Sequence, residues 1–361
     1  MSRDVRDMNL QFSKLERVGV GCYPTPFEAM PRLETKMNGP KLFVKRDDLT
    51  GVALGGNKIR QLDYILVEAK KRRCDFVITT CGIQSNWSRQ TVAFASKMGI
   101  KALLVLRTAQ FKHRPSVFDG NLLLDHIMGA EIKIIKMKIN EDPAAILESE
   151  AKRLRRKGHN PIVLGLADGV SPLATAAYVD ATIELVQQAN AINVNLDAIV
   201  LATSAGATQA GLALGTKMLG LKTKVIGVNV GAFSKEIVAN NILASANEAV
   251  KLLSSNVRLT RDDIIITDKY AGKDYGFPTK ESLAAIRIAA ESEALILDPV
   301  YTSKAMAGLI DMIKTRKFER DEKVCFLHTG GIPALFAYKQ YFQPNSRLKE
   351  ADYFAIRRFQ K

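Results

Sequence analysis

The sequence predicts an α/β fold with parallel sheets and helices on both faces, arranged as two units sharing a cleft. Three observations carry this. Short aliphatic and β-branched runs alternate with longer stretches of helical apolar period from residue 75 to 228, and a further run lies at 323–327. The turns after several of those runs collect Gly, Ser, Thr and Asn, as at 81–86, 203–208 and 328–331. The chain has 361 residues, 47% of them hydrophobic, enough for two domains of about 150 residues and a substantial core. Neither an internal repeat nor a low-complexity linker separates two halves, so interleaved units fit better than two beads on a string.

In chain order, 75–80 (Asp75-Phe76-Val77-Ile78-Thr79-Thr80) reads as a strand and 84–98 as a helix. The run 101–106 is a second strand, 122–128 a helix and 131–135 a third strand. A helix at 143–157 and a strand at 161–164 follow. After Ser171-Pro172 the pattern resumes with a helix at 173–189, a strand at 198–202, a helix at 209–219 and a strand at 224–228. The late strand 323–327 runs into His328-Thr329-Gly330-Gly331, and the apolar run 294–297 before Tyr301 reads as one more strand. Such repeated alternation argues for parallel pairing.

Composition excludes several classes. Mean hydropathy is near zero, which argues against a disordered or fibrous chain. No apolar run approaches the roughly 18 residues of a membrane span, and the first residues, with Arg3, Asp4, Arg6 and Asp7, do not read as a signal peptide. Cys22, Cys74, Cys81 and Cys325 are widely spaced, and the four histidines lack metal-ligand spacing, so free thiols in a reducing, cytoplasmic setting and no metal are expected. The one anomaly is 52 Lys+Arg against 37 Asp+Glu, a net charge of +15. Its densest run, Lys152–Lys157, sits at the carboxyl end of a helical stretch, where the helix dipole favours cations. It reads as a solvated helix end rather than a nucleic-acid site.

In parallel α/β sheets ligands gather beyond the carboxyl ends of strands, which singles out four segments. In Leu54-Gly55-Gly56-Asn57-Lys58, the glycines allow a sharp turn, Asn57 can cap a helix, and Lys58 falls in its first turn. A cation is disfavoured there, and a lysine of depressed pKa is what an imine-forming nucleophile needs; an ordinary surface lysine is the competing reading. Gln84-Ser85-Asn86-Trp87 begins a helix, offering hydroxyl, amide and backbone N–H groups to a carboxylate or phenolic oxygen, or merely an N-cap. Ser204-Ala205-Gly206-Ala207-Thr208 is a strand-to-helix turn able to cup a monophosphate; it is neither a Walker loop nor a dinucleotide fingerprint. Tyr275, Tyr301 and the 328–331 turn could face the same cleft, although such tyrosines also serve as packing. A lysine, a monophosphate cup, a polar helix start and two tyrosines together are the equipment of a pyridoxal phosphate enzyme.

Gly55-Gly56-Asn57-Lys58, Gly82-Ile83-Gln84-Ser85-Asn86 with Arg89-Gln90, Thr208-Gln209-Ala210-Gly211, Asp298-Pro299-Val300-Tyr301 and His328-Thr329-Gly330-Gly331 resemble the D-cysteine desulfhydrase and 1-aminocyclopropane-1-carboxylate (ACC) deaminase family. The motifs stand in order, from Tyr23-Pro24-Thr25-Pro26 to Tyr338. The resemblance implies the tryptophan-synthase-β-like fold, fold type II, with pyridoxal 5′-phosphate in the cleft between two open twisted α/β domains. Residues 1–53 with 174–361 would form the larger domain, 54–173 the smaller inserted one, and the protein would be a homodimer.

It also implies roles. Lys58 would hold the cofactor covalently and later shuttle the substrate α-proton. Ala205, Gly206, Ala207 and Thr208 would hold the phosphate, Asn86 the ring oxygen, and Tyr301 the ring face, with Thr302 and Thr329 also on the cofactor. Ser85, Asn86, Gln84, Trp87, Tyr275 and Thr329 would meet a small amino-acid substrate. ACC deaminase-like sequences carry Glu and Leu where Thr302 and Thr329 stand, so β-elimination in the manner of the desulfhydrase branch is expected: D-cysteine to pyruvate, ammonia and hydrogen sulfide. A lyase for L-cysteate or D-serine, an ACC deaminase and a non-catalytic anion binder are the alternatives. Trp87, Cys81 and the glycine-free Ser171–Ala174 turn depart from the family pattern, and the tail with Arg357-Arg358 lies beyond it.

Overall fold

The computed structural model describes residues 15–108, 117–138, 141–165 and 171–342; the Arg3–Asp7 charges and the Arg357-Arg358 tail lie outside them. Strand β1 (Phe27–Ala29), helix α1 (Pro31–Met37) and β2 (Lys41–Lys45) open the fold, followed by α2 (Lys58–Ile65) and α3 (Val67–Lys71). Next come β3 (Phe76–Gly82), α4 (Asn86–Met98), β4 (Lys101–Arg107), α5 (Gly120–Ile127), β5 (Glu131–Ile135), α6 (Ala144–Arg156) and β6 (Pro161–Leu164). Helix α7 (Pro172–Ala191) leads to β7 (Ala198–Thr203), α8 (Ala207–Met218), β8 (Lys224–Asn229), α9 (Lys235–Leu252) and β9 (Ile265–Thr267). The chain continues through α10 (Lys280–Glu293), α11 (Thr302–Lys314), β10 (Lys323–Leu327) and α12 (Ala334–Ala337).

Among the described residues the strands form two sheets. One has the order β5-β4-β3-β6 and is parallel throughout, with Phe76 opposite Lys101 and Pro161. The other has the order β1-β2-β10-β7-β8-β9, parallel except for the β1–β2 pair. The period of two along a strand sends its side chains to separate cores. Ile199 and Leu201 of β7 join one apolar cluster with Cys325 and Leu327, while Val200 and Ala202 join a second with Val324 and Phe326. Burial on both faces is why these segments are uninterrupted apolar runs in the sequence.

The expected strands and helices between 75 and 228 and at 323–327 all form, with ends moved by at most two residues. The strand expected at 294–297 does not. Ala294 takes φ 51° as the C-cap of α10, and its N–H and that of Leu295 return to the Ala290 and Ala289 carbonyls. The apolar side chains are spent covering the core, where Leu295 and Leu297 are buried, without a partner strand.

The basic run at 152–157 lies on and just after α6, where Arg153 pairs with Glu150 and Arg155 with Glu148. A second ionic cluster is buried. Arg60 of α2 meets Asp47 at 2.9 Å and Glu184 of α7 at 2.7 Å, Lys45 of β2 also pairs with Glu184, and the Tyr178 hydroxyl donates to Asp47 at 2.6 Å. Burial alone would raise the Asp47 carboxyl, but the Arg60 and Lys45 charges outweigh it and hold the pKa below the ordinary value. Thus α2, which begins at Lys58, is fixed to β2 and α7.

Candidate active site

The strand ends of both sheets open on one cavity of about 340 Å³. Helix α2 brings Lys58 into it, the β3–α4 turn brings Ser85, Asn86 and Trp87, and the β7–α8 turn brings residues 203–208. Tyr275, Tyr301 and Thr329 complete the wall opposite. Lys58 and Arg107 are the cations of this lining, which contains no Asp or Glu among the described residues.

Lys58 is held by its backbone surroundings. The Asn57 N–H donates to the Thr329 carbonyl at 3.0 Å, and Ile59 N–H to Gln90 Oε1 at 3.1 Å. Gly56 (φ 131°) lies against Gly330, where a Cβ would come within 2.7 Å of the Gly56 Cα, so the two turns pack backbone to backbone. No hydrogen bond or ion pair reaches the Lys58 Nζ from the described residues. Burial pushes its pKa down to about 8, opposed by the Cys81 thiol. Asn57 does not cap α2 with its side chain; its Nδ2 instead donates to Thr208 Oγ1 at 3.0 Å, across the cavity floor.

The β7–α8 turn has the make-up of an anion cup. Gly206, at φ 110°, is the N-cap of the twelve-residue α8. Thr208 Oγ1 accepts from Asn57 Nδ2 and from Gln61 Nε2 (3.2 Å), which leaves its own hydrogen to donate. Thr203 Oγ1 is buried without a partner among the described residues. At the β3–α4 turn Ser85 Oγ caps α4 by accepting from Ser88 N–H at 3.2 Å, and the Trp87 indole donates to Thr79 at 2.9 Å, so the ring is a fixed wall. The Tyr275 and Tyr301 hydroxyls bond to each other, with ring centroids 5.7 Å apart and planes at 69°. Burial raises both phenols, and Asp298 anchors the Tyr301 turn by accepting from the N–H groups of Val300, Tyr301 and Thr302.

A family profile described as "Pyridoxal-phosphate dependent enzyme" matches residues 19–330. The chain belongs to the pyridoxal-phosphate-dependent enzyme family. Among its relatives is a protein of Pyrococcus furiosus provisionally named 1-aminocyclopropane-1-carboxylate deaminase, 38% identical over 90% of this chain and 95% of that protein. Another is a D-cysteine desulfhydrase of Serratia proteamaculans, 35% identical over 91% of this chain and 96% of that protein. The crystal structure of an ACC deaminase homologue superposes with a TM-score of 0.83 at 35% identity, covering 94% of this chain and 98% of the other. The fold-type-II assignment rests on this likeness and on the two α/β sheets.

The cavity suits the family's cofactor on its own chemistry. It offers an unpartnered amine of lowered pKa, a glycine-bearing helix N-terminus with two hydroxyls free to donate, and no acid to repel a phosphate. Two expected residues stand elsewhere. The Gln84 amide is turned away, donating to the Asp119 carbonyl at 2.9 Å and accepting from Asn121 N–H at 2.8 Å. The Thr302 hydroxyl is buried against Asp298 at 2.7 Å and is absent from the lining. The turn closes on itself, so one threonine at this wall, Thr329, faces the cavity. Arg107, Thr203, Phe233 and Asn241 line it without having been singled out. Arg107 ends β4 directly after the expected strand 101–106, where the strand-end rule could have found it.

Proposed function

We propose that this enzyme catalyses α,β-elimination from a small amino acid, with D-cysteine the foremost substrate: D-cysteine and water give pyruvate, ammonia and hydrogen sulfide. The observation that carries the reading is one unpartnered lysine amine of lowered pKa in the same cavity as the 203–208 cup. Two relatives named D-cysteine desulfhydrase, from Serratia proteamaculans and Klebsiella pneumoniae, support the substrate. Bound pyridoxal 5′-phosphate supplies an electron-withdrawing ring that stabilises negative charge at the substrate α-carbon.

The chain's own residues do the rest. Lys58 Nζ, partly free base at neutral pH, takes the α-proton and can return it. Backbone N–H groups at the start of α4, with the Ser85 hydroxyl, receive the substrate carboxylate at the positive end of the helix. The Trp87 and Tyr275–Tyr301 walls exclude water and leave room for a small β-substituent. Ala205–Thr208 and Asn86 hold the cofactor's anionic oxygens, and Thr329 faces it from the opposite turn. A neutral wall there, without a glutamate, suits departure of a sulfide better than opening of a cyclopropane. The 38% identity to the Pyrococcus protein favours ACC deamination as the second reading.

The same reading includes a homodimer in the cytoplasm and a smaller domain, 54–173, inserted between 1–53 and 174–361; the contiguity of the β3–β6 sheet supports the insertion. Among the described residues no helix is long and apolar enough to cross a membrane. The test is a panel of D- and L-cysteine, D-serine, L-cysteate and ACC, with pyruvate or 2-oxobutyrate measured. Pyruvate from D-cysteine and none of either product from ACC is expected. 2-Oxobutyrate from ACC alone would overturn the assignment.

A further inference from the structure

Asn86 faces the cavity, and its usefulness there depends on which end of its amide points inward. An amide is nearly symmetric in shape but not in chemistry: one end donates and the other accepts. The surroundings decide the matter by elimination, beginning at Arg89.

Arg89 is fully buried on α4, and its guanidinium can only donate. Its Nη2 donates to the Gly55 carbonyl at 2.9 Å and its Nη1 to that of Ala53. These carbonyls belong to the loop that enters Lys58, where Ala53, Leu54, Gly55 and Gly56 all have positive φ. The guanidinium is therefore immobile, and its Nε donates to Asn121 Oδ1 at 2.8 Å. That fixes the Asn121 amide, buried at the start of α5, with its Nδ2 turned the other way. Asn121 Nδ2 donates to the Gln84 carbonyl at 2.9 Å and to Asn86 Oδ1 at 3.0 Å. Asn86 Oδ1 is thereby occupied as an acceptor. Its Nδ2 has no partner among the described residues and lies beside Gly331, where a Cβ would come within 2.9 Å.

We infer that Arg89 and Asn121 are positioning residues that fix the Asn86 amide with its donor end toward the cavity, so that it can bind an anionic oxygen of the cofactor. The inference rests on the reading that this cavity holds pyridoxal 5′-phosphate. Every hydrogen bond in the relay runs from donor to acceptor in one direction, and reversing any amide would set like against like.

The experiment titrates pyridoxal 5′-phosphate into cofactor-stripped protein, reading the dissociation constant and the position of the visible band. Asn121→Asp keeps the shape and the Arg89 contact but cannot donate to Asn86, so it turns the amide over; binding should weaken at least tenfold. Asn121→Ala removes the bias without reversing it and should stay within about threefold of wild type. In an Asn86→Ala background the Asn121→Asp penalty should shrink to within about threefold, because no amide remains to be misdirected.

Equal damage from the Ala and Asp variants, or an Asp penalty unchanged without Asn86, overturns the inference. If Asn121→Asp does not fold, Asn86→Asp places an acceptor where the relay places a donor. It must also lose at least tenfold, and wild-type affinity in it overturns the inference as well. A wild type that takes up no pyridoxal 5′-phosphate overturns the functional reading itself. Uptake with a failed cycle overturns only the relay.

Discussion

Lys58 should make the protein less stable than it would be without it. An ammonium group at this position is partly buried in the cavity wall, has no hydrogen-bond partner among the described residues, and has its pKa pushed down to about 8 from 10.5 by desolvation. At about 1.36 kcal/mol per unit, that displacement corresponds to a cost of about 3 kcal/mol for keeping the group protonated at pH 7. Because the side chain retains contact with the cavity, this is an upper limit, and about 2–3 kcal/mol is expected. Lys58→Met keeps the length and removes the charge. Urea unfolding of the cofactor-free proteins at pH 7 should show the variant more stable by that amount, with a higher midpoint and an unchanged slope.

The pH dependence carries the sign. Between about 8 and 10.5 the unfolded lysine holds a proton that the folded one has released, so wild-type stability rises with pH across that window. The variant's advantage should be complete below pH 8 and fade toward pH 10.5. A variant no more stable than wild type at pH 7, or an advantage that does not shrink with rising pH, would refute the burial argument.

Two further perturbations test other parts of the fold. Arg60→Met leaves Asp47 and Glu184 buried without their shared partner, and should cost about 3–5 kcal/mol in urea unfolding at pH 7. The deficit should narrow as the pH falls toward 4, since the stranded carboxyls of the variant, no longer held down by Arg60, take up protons there, whereas the wild-type cluster, with the Asp47 and Glu184 pKa values held below the ordinary range, stays ionised. An equal deficit at both pH values would show that packing, not charge, is lost. Gly206→Ala forces a side chain onto φ 110° and brings its Cβ within 2.8 Å of Ile242. The cofactor's dissociation constant should rise more than tenfold in a titration of the stripped protein, and unchanged affinity would exclude this turn from the phosphate cup.

The strands were legible where they are buried on both faces, because β3, β4, β7 and β10 must then be apolar throughout. Lys58, Ser85, Asn86 and the 205–208 turn were legible because each follows a glycine- or serine-bearing turn into a helix. The apolar run 294–297 was misleading, since burial against helices and burial in a strand demand the same side chains. Gln84 and Thr302 were misplaced because a neighbour that captures a side chain is a tertiary fact. Asp119 and Asn121 take the amide of one, and Asp298 takes the hydroxyl of the other. Asn57 likewise looked like a local cap, yet its partner is Thr208, on a helix of the other sheet. The elements of 27–45, 229–293 and 298–314 are not among those the sequence predicts, and Phe233, just before α9, and Asn241, within it, were missed with them.

The order of strands in the larger sheet has a consequence for how the protein is made. β10 lies between β2 and β7, so that Lys41 pairs with Lys323. The four-stranded sheet is complete once residue 164 has been synthesised. The larger one keeps a gap until almost the entire chain exists. Through that interval the edges of β2 and β7 carry unpaired backbone groups on apolar strands, which invites pairing with other chains. A nascent chain ending before β10 would hold Lys58 and the 203–208 turn but lack Thr329, whose carbonyl accepts from the Asn57 N–H beside Lys58. Aggregation of products truncated before residue 323 is the outcome this strand order predicts, and light scattering of such a truncated chain checks it.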